Sequence, residues 1–221
     1  MHTLKYDLIL TEIPIAGRLF KVWRVRNLDE LVDQVSEEQF DKDERLPYWA
    51  ELWPSAQALA AFLLEHAAYL AGRSVLELGC GLGLTTMAAA LCAPGRFVAT
   101  DYEPDALAHC RRNFECNGLT PPEWHELDWR APQLDETFDV LLASDVVYEQ
   151  RFFEPLIRVF TRFLKPDGRI LLAEPNRGVA RGFFGKLAMA GFTFERRDFP
   201  VMQDGRTITV SIYDIQLSKK E

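Results

Sequence analysis

The stretch that decides the fold is Val75–Gly83, which reads VLELGCGLG. It opens with the apolar residues of a buried strand, includes the acidic Glu77, and ends in three alternate glycines. The next eight residues, LTTMAAAL at positions 84–91, predict a helix. Glycines let a ligand lie against bare backbone, and a helix start offers free N–H groups. Together they predict a cradle for a nucleotide-like molecule.

The glycine spacing narrows the class of ligand. A dinucleotide fingerprint, G-x-G-x-x-G counted from Gly79, needs its third glycine at position 84, where the chain has Leu84. A phosphate-binding loop needs a Gly-Lys-Ser/Thr run, which is absent from the sequence. The remaining alternative is a tight strand-to-helix turn that binds no ligand.

Composition limits the protein to a few classes. The 221 residues suit one domain with a small extension, and 48% of them are hydrophobic, enough for a core. A net charge of -8 argues against nucleic-acid or membrane-surface partners. The four cysteines form no CxxC pair, so we expect no metal site, and reduced thiols indicate the cytoplasm. We also expect neither a signal peptide nor a membrane span.

The N-terminal part has its own pattern. Residues 4–25 alternate in polarity around Ala16-Gly17 and predict a small β-hairpin. A short helix over residues 28–35 and a charged connector over 36–45 follow. We therefore divide the chain into residues 1–46, the hairpin and connector, and residues 47–221, the main domain.

In the main domain, predicted strands and helices alternate five times before a closing hairpin. This order predicts an α/β fold with a doubly wound, Rossmann-like, seven-stranded and mostly parallel sheet that ends in a C-terminal antiparallel hairpin. The predicted strands cover residues 75–78, 96–101, 138–145, 169–174, 192–199 and 207–216, with a further strand and its loop over 124–129. The predicted helices cover 55–70, 84–91, 104–117, 152–163 and 179–189.

Three predicted strands end in acids. Ligands of parallel sheets lie outside the carboxyl ends of the strands, where Glu77, Asp101 and Asp145 stand. Asp101 lies eighteen residues beyond Gly83 and can accept hydrogen bonds from both hydroxyls of a ribose. Asp128 can accept from an adenine amino group with Trp129 against the ring, or it is an ordinary loop acid. Trp53 either contacts the ligand or packs in the core.

These motifs resemble a known family. Glu77–Gly83, Asp101 and the terminal hairpin resemble the class I, seven-β-strand S-adenosylmethionine-dependent methyltransferases, over about Pro47 to Gln216. Within this class, Ser144–Tyr148 resembles the D-x-x-Y motif of the family 16 protein methyltransferases, which mostly modify lysine. Leu127–Trp129 and Glu51–Ala56 also resemble segments of that family. Pro47–Ala50 together with Trp53-Pro54 is most similar to the lysine methyltransferases of the electron-transfer-flavoprotein β-subunit.

The resemblance implies an enzyme that uses S-adenosyl-L-methionine to methylate a lysine side chain of a protein substrate. It implies that the glycines make room for the methionine part of S-adenosyl-L-methionine and that Glu77 orients the amino-acid end of this cofactor. It also implies that Asp145 positions the acceptor. Tyr148 would direct its hydroxyl or ring face to the amine. The implied catalytic residues are Asp145 and Tyr148, and the implied cofactor-binding residues are Trp53, Glu77, Gly79, Gly81, Gly83, Asp101, Tyr102, Asp128, Trp129 and Ser144.

Other functions stay open at this point. The acceptor could be a small molecule, as in a nicotinamide-type N-methyltransferase, and the partner then a small-molecule amine. A protein that binds S-adenosylmethionine without chemistry, or a nicotinamide dehydrogenase, would share part of the pattern. The sequence is compatible with a monomer.

Overall fold

The computed structural model describes residues 6–28, 31 and 47–218. The predicted helix over 28–35, apart from Leu28 and Leu31, and the charged connector over 36–45 lie outside the described residues. No helix in the described ranges is long and apolar enough to cross a membrane.

The N-terminal hairpin is confirmed. Strands β1 (Leu8–Ile15) and β2 (Arg18–Val25) pair in antiparallel register. They turn at Ala16 and Gly17, which both have positive φ, at 46° and 76°. The hairpin begins four residues later than the predicted start at residue 4, of which residues 4 and 5 are not described.

The predicted α/β fold is confirmed. Within the described residues the central sheet has seven strands in the order β5-β4-β3-β6-β7-β9-β8. Strands β3 to β7 are parallel, and β9 pairs in antiparallel register with both β7 and β8. The bounds are β3 Ser74–Leu78, β4 Arg96–Asp101, β5 Glu123–Glu126, β6 Phe138–Ser144, β7 Leu164–Glu174, β8 Phe192–Gln203 and β9 Arg206–Leu217.

Helices cover both faces of this sheet, as doubly wound topology requires. One face packs against α1, α2, α3 and the hairpin, through the alternate strand residues that include Val75, Ala99 and Val140. The other face packs against α4 and α5 through residues such as Leu76 and Leu141. The helices are α1 Pro54–Glu65, α2 Leu84–Leu91, α3 Pro104–Cys116, α4 Phe153–Phe163 and α5 Ala180–Met189.

Some predicted boundaries were wrong. Helix α1 ends at Glu65 rather than Leu70, because the His66 N–H closes the helix on Phe62 and Leu63 and a 3-10 turn over Ala67–Tyr69 follows. Strand β7 begins at Leu164, directly after α4, so the predicted helix stop over residues 166–168 lies within the strand. Strand β5 ends at Glu126, and residues 127–129 form the loop that was predicted to follow it.

The two edges of the sheet differ from its centre. Strand β5 has only four residues, and β8 is exposed over residues 193–198. That part of β8 includes the charged run Glu195–Asp198 and is followed by Pro200.

Candidate active site

A deep pocket lies outside the carboxyl ends of β3, β4 and β6, at the point where the strand order reverses between β3 and β6. Its empty volume, including the open mouth, is about 1140 Å³. All the site residues predicted from the sequence line it except Glu77, which is buried behind it. The pocket therefore brings together Trp53, Gly79, Gly81, Gly83, Asp101, Tyr102, Asp128, Trp129, Ser144, Asp145 and Tyr148.

The three glycines of the turn all have positive φ, at 75°, 50° and 86° for Gly79, Gly81 and Gly83. A Cβ on Gly79 would lie 3.4 Å from a methyl group of Val146, and one on Gly81 would lie 3.3 Å from the Trp49 carbonyl oxygen. A side chain at either position would narrow the pocket, so the turn keeps its backbone open to a ligand.

Glu77 presents a carboxylate to the underside of this turn. It is 1% exposed, and neither of its oxygens has a hydrogen-bond partner of normal geometry among the described residues. Burial raises the pKa of this carboxyl to about 8, with the nearby Thr86 hydroxyl lowering it in part and Asp101 raising it further. A buried acid without a partner is costly, and a cationic ligand group would satisfy it.

Asp101 fixes the turn from the end of β4. Its Oδ2 accepts from the Gly81 N–H at 2.9 Å, and its Oδ1 accepts from the Glu103 N–H at 3.0 Å. Burial raises the pKa of this carboxyl to about 6, against the lowering effect of the two N–H groups. Because each oxygen has a second lone pair, Asp101 can hold the turn and still accept from ligand hydroxyls.

Asp128 is joined to two neighbours at the mouth of the pocket. The Arg130 guanidinium donates to both of its oxygens, and the backbone N–H of Arg130 donates to Oδ1 at 2.9 Å. The same guanidinium donates to the Tyr102 hydroxyl at 2.6 Å and lies 5.1 Å from the centre of its ring. The sequence did not predict Arg130, although it directly follows two residues that were predicted.

Asp145 has an unusual backbone at the end of β6. Its φ is 61°, and its N–H donates to the Ala173 carbonyl of β7 at 3.0 Å. Its side chain is 3% exposed. Oδ1 accepts from Arg177, whereas Oδ2 is buried without a hydrogen-bond partner among the described residues. One oxygen of the carboxylate is therefore buried without a hydrogen-bond partner, in a residue that lines the pocket.

Several aromatic rings line the same pocket as Asp145. Tyr48 packs edge-on against Tyr148 with 5.3 Å between ring centres, and it lies 6.3 Å from Trp53. Phe152 lies 6.0 Å from Trp129 and 6.3 Å from Tyr148. Burial raises the pKa of the Tyr148 hydroxyl, so this group stays protonated. Aromatic faces suit a cationic or methylated amine.

Sequence reasoning missed Tyr48, Arg130, Phe152 and Arg177 as site residues. A signal for Arg177 was present, because Glu174–Arg177 directly follows the fifth strand of the alternating series, on the side of the sheet where ligands bind. Its partner Asp145 is 32 residues away in the chain, and neither sequence spacing nor residue type indicated the pair.

Solved structures of other proteins have the same fold. A putative RNA methyltransferase from Pyrococcus horikoshii superposes with a TM-score of 0.62 over 86% of this chain and 98% of that protein, at 16% identity. A ribosomal protein L11 methylase from Lactobacillus delbrueckii subsp. bulgaricus superposes with a TM-score of 0.56 over 73% and 78%, at 20% identity. At such identities the likeness shows the fold alone.

Sequence comparison is more specific. The electron transfer flavoprotein beta subunit lysine methyltransferase of Danio rerio is 34% identical over 59% of this chain and 51% of its own length. The calmodulin-lysine N-methyltransferase of Arabidopsis thaliana is 31% identical over 75% and 58%. The chain spans about half the length of the first of these relatives. The family model for lysine methyltransferases matches residues 38–189, and the chain therefore belongs to the lysine methyltransferase family.

Proposed function

We propose that this protein transfers a methyl group from S-adenosylmethionine to a lysine side chain of a protein substrate. The observation that carries the proposal is that Asp145, whose Oδ2 has no hydrogen-bond partner among the described residues, lines the same pocket as the glycine turn and several aromatic side chains. Family membership and the protein acceptors in the names of the two relatives support a protein lysine as acceptor.

The residues of the pocket fit this cofactor. The open backbone of Gly79 and Gly81 suits the methionine part. Glu77, which is protonated in the ligand-free protein near pH 7, would ionise opposite the cationic α-amino group and pair with it. Asp101 suits the ribose hydroxyls, while Asp128, Trp129, Tyr102 and Ser144 border the space for the adenine and for the reacting end. Trp53 covers the pocket from the segment before α1, where its indole N–H donates to the Tyr48 carbonyl at 2.8 Å.

When bound, S-adenosylmethionine supplies an electrophilic methyl group, which leaves its sulfonium sulfur as the amine lone pair forms the new N–C bond. The protein must therefore hold the amine in line and admit it without its extra proton. Removing that proton near pH 7 from a lysine of pKa about 10.4 costs roughly 4–5 kcal/mol. The apolar rings of Tyr48, Tyr148 and Phe152 lower this cost because they disfavour the charged form.

Oδ2 of Asp145 accepts a hydrogen bond from an N–H of the amine. The lone pair of the amine nitrogen then points away from the carboxylate. Tyr148 lines the same channel, where its ring attracts the incoming cation by about 1 kcal/mol. We also propose a cytoplasmic location, which the four free cysteines support.

The experiment supplies the purified protein with radiolabelled S-adenosylmethionine and a heat-treated lysate. We expect label in protein, on lysine, and none in small molecules. Asp145→Asn keeps a side chain that tolerates positive φ, so we expect it to bind S-adenosylhomocysteine normally in calorimetry but to transfer methyl groups at least tenfold more slowly.

Asp139→Asn is the control, because it changes a carboxylate at the opposite end of the same strand, away from the pocket. If the label appears in metabolites alone, the acceptor is a small-molecule amine and not a protein. If the protein binds the cofactor tightly but transfers no methyl group to any component of the lysate, it is a binding protein without catalytic activity.

A further inference from the structure

The loop after β7 brings a cation to the acceptor side of the pocket. Glu174, the last residue of β7, is 1% exposed and accepts from the backbone N–H groups of Asn176 and Arg177, at 2.5 and 2.9 Å. Asn176 has a φ of 63°, and its side-chain amide donates to the Thr209 carbonyl at 2.9 Å. These contacts fix the backbone that carries Arg177.

The Arg177 side chain then reaches across to β6. Its guanidinium donates to Oδ1 of Asp145, and its carbon lies 5.6 Å from the centre of the Trp53 ring. The side chain is 29% exposed, whereas that of Asp145 is 3% exposed. Asp145 is therefore held from two sides, by Ala173 at its backbone and by Arg177 at its carboxylate.

Arg177 occupies one oxygen of Asp145 and leaves Oδ2 without a partner among the described residues. It also places a positive charge beside a carboxylate that would otherwise hold an acceptor amine in its ammonium form. An ammonium ion has no lone pair for methyl transfer, so the charge on Asp145 alone would oppose the reaction.

We propose that Arg177 is a positioning residue for methyl transfer: it aims Oδ2 of Asp145 at the acceptor amine and offsets the carboxylate charge. The amine then keeps a hydrogen-bond acceptor without being held as a cation. This role rests on the proposed function, since it needs an amine acceptor.

Other charged groups face the pair and must be counted. Glu174 lies 3.9 Å from the guanidinium at the end of β7, and the rest of the pocket adds Glu51, Asp101, Glu103, Asp128, Arg130, Glu149 and Arg151. Arg151 pairs with Glu149 at 2.6 Å and Arg130 with Asp128 at 2.9 Å. Arg177 is the cation that contacts Asp145 in the described part of the chain.

The test measures kcat against pH with the lysate protein labelled by the unaltered enzyme, purified, as the acceptor. Without the positive charge of Arg177, Asp145 holds the ammonium form more strongly, so a higher pH is needed to deprotonate the amine. We expect Arg177→Gln to raise the pH midpoint of kcat by roughly one unit. At pH 7 this variant should turn over about tenfold more slowly, and its rate should recover at high pH.

Arg177→Lys keeps the charge and should restore the midpoint of the unaltered enzyme. Arg169→Gln is the matched control, because Arg169 forms a similar pair in the middle of β7, outside the pocket, 2.8 Å from Asp214 and 4.7 Å from the Tyr69 ring. It should leave the midpoint unchanged. In an Asp145→Asn background, Arg177→Gln should shift nothing further, because the charge that it offsets is gone.

An unchanged midpoint in Arg177→Gln would overturn the role of Arg177. So would a lower KM for the acceptor, which would mean that the guanidinium competes with the substrate, or an equal shift in the Asp145→Asn background. Absence of transfer by the unaltered enzyme at every pH would instead overturn the proposed function itself. Binding of S-adenosylhomocysteine, measured by calorimetry, should stay within about threefold in all variants, since Arg177 does not line the pocket.

Discussion

Gly83 links the pocket to the helix layer at the scale of a single residue. It ends the glycine turn at a φ of 86°, and a Cβ there would lie 2.3 Å from the sulfur of Cys110 on α3. Two separate constraints therefore require glycine: a backbone conformation that other residues rarely adopt, and the close approach of α3. Gly118 shares the first constraint, at a φ of 62°, but has open space around it.

We expect Gly83→Ala to lower the free energy of unfolding by about 2–5 kcal/mol, from backbone strain and steric overlap together. Gly118→Ala should cost only the backbone part, about 1–2 kcal/mol. Denaturant unfolding of both variants separates the two contributions.

Cys110→Ala is the control for the steric overlap between a Cβ at position 83 and the Cys110 sulfur. In that background Gly83→Ala should cost less than in the unaltered protein, because the sulfur at 2.3 Å is gone, but still more than Gly118→Ala, because the Cβ of residue 110 stays at 3.3 Å. An undiminished cost would show that Cys110 is not the obstacle.

Pocket residues could be predicted from the sequence where a local pattern, such as an acid or a glycine turn after a strand, marks them. The glycines, Asp101 and Asp145 were found because they stand at strand ends, and the structure brings them to one pocket. Their roles toward a cofactor or an acceptor stay predictions. Arg177 was missed because its contact depends on the left-handed backbone of Asp145 and on a loop from another strand.

At the scale of elements, Asn113 of α3 connects the hairpin to the glycine turn. It is fully buried, and its amide donates to the Leu82 carbonyl at 2.8 Å and to the Trp23 carbonyl at 3.2 Å. Its oxygen accepts from the Trp23 N–H at 2.7 Å. One side chain thus satisfies backbone groups of β2 and of the turn that forms the pocket. The division of the chain at residue 46 stays a prediction.

We expect Asn113→Ala to lower the free energy of unfolding by about 2–4 kcal/mol, because buried backbone groups lose their partners. Binding of S-adenosylhomocysteine should also weaken severalfold, since Leu82 belongs to the turn. Unfolding and calorimetry measure the two effects.

Asn117→Ala is the matched control, at the residue that directly follows the same helix. Asn117 also pairs with β2, at the N–H and carbonyl of Lys21, but at an exposed site away from the turn. Asn117→Ala should lower the free energy of unfolding by about 1 kcal/mol or less and leave the binding of S-adenosylhomocysteine unchanged. Equal loss of binding in both variants would remove the special role of Asn113.

Elements were predicted well where both ends carry a local signal. Helix α2 and strand β4 have the predicted bounds, since glycines and an acid mark their limits. The end of α1 was missed because the apolar pattern continues to Leu70, through a 3-10 turn that buries Leu70 without extending the α-helix.

At the scale of the whole molecule, buried acids couple stability to pH. Burial raises the pKa of Glu77 to about 8 and that of Asp101 to about 6, and it also raises the pKa values of Glu174 and Asp214. Between pH 6.5 and 8 the unfolded chain has an ionised Glu77, whereas the folded chain keeps this carboxyl protonated. The folded state then binds more protons, so its stability falls as the pH rises. His109, whose pKa burial lowers, acts in the opposite sense below about pH 6.5.

We expect the ligand-free protein to lose about 2 kcal/mol of stability from Glu77 between pH 6.5 and 8. Glu77→Gln should remove this part of the slope and weaken binding of S-adenosylhomocysteine. Denaturant unfolding at several pH values checks the difference between the two proteins. An identical slope in both would mean that Glu77 is ionised throughout the range.

The topology of the molecule followed from the alternation of strands and helices with a closing hairpin. This is a global pattern that needs only element types and order. The pairing of charged groups between distant loops needs the final geometry, so the Asp128–Arg130–Tyr102 group appeared only in the structure.

The two edges of the sheet also affect how copies of the protein behave at high concentration. An open edge is a template for strands of other chains, which leads to aggregation. Strand β5 is too short to serve as a long template. The exposed part of β8 presents a run of four charged residues of both signs and then Pro200, which has no N–H to donate. Growth of the central sheet from one chain to the next is therefore opposed at both of its edges.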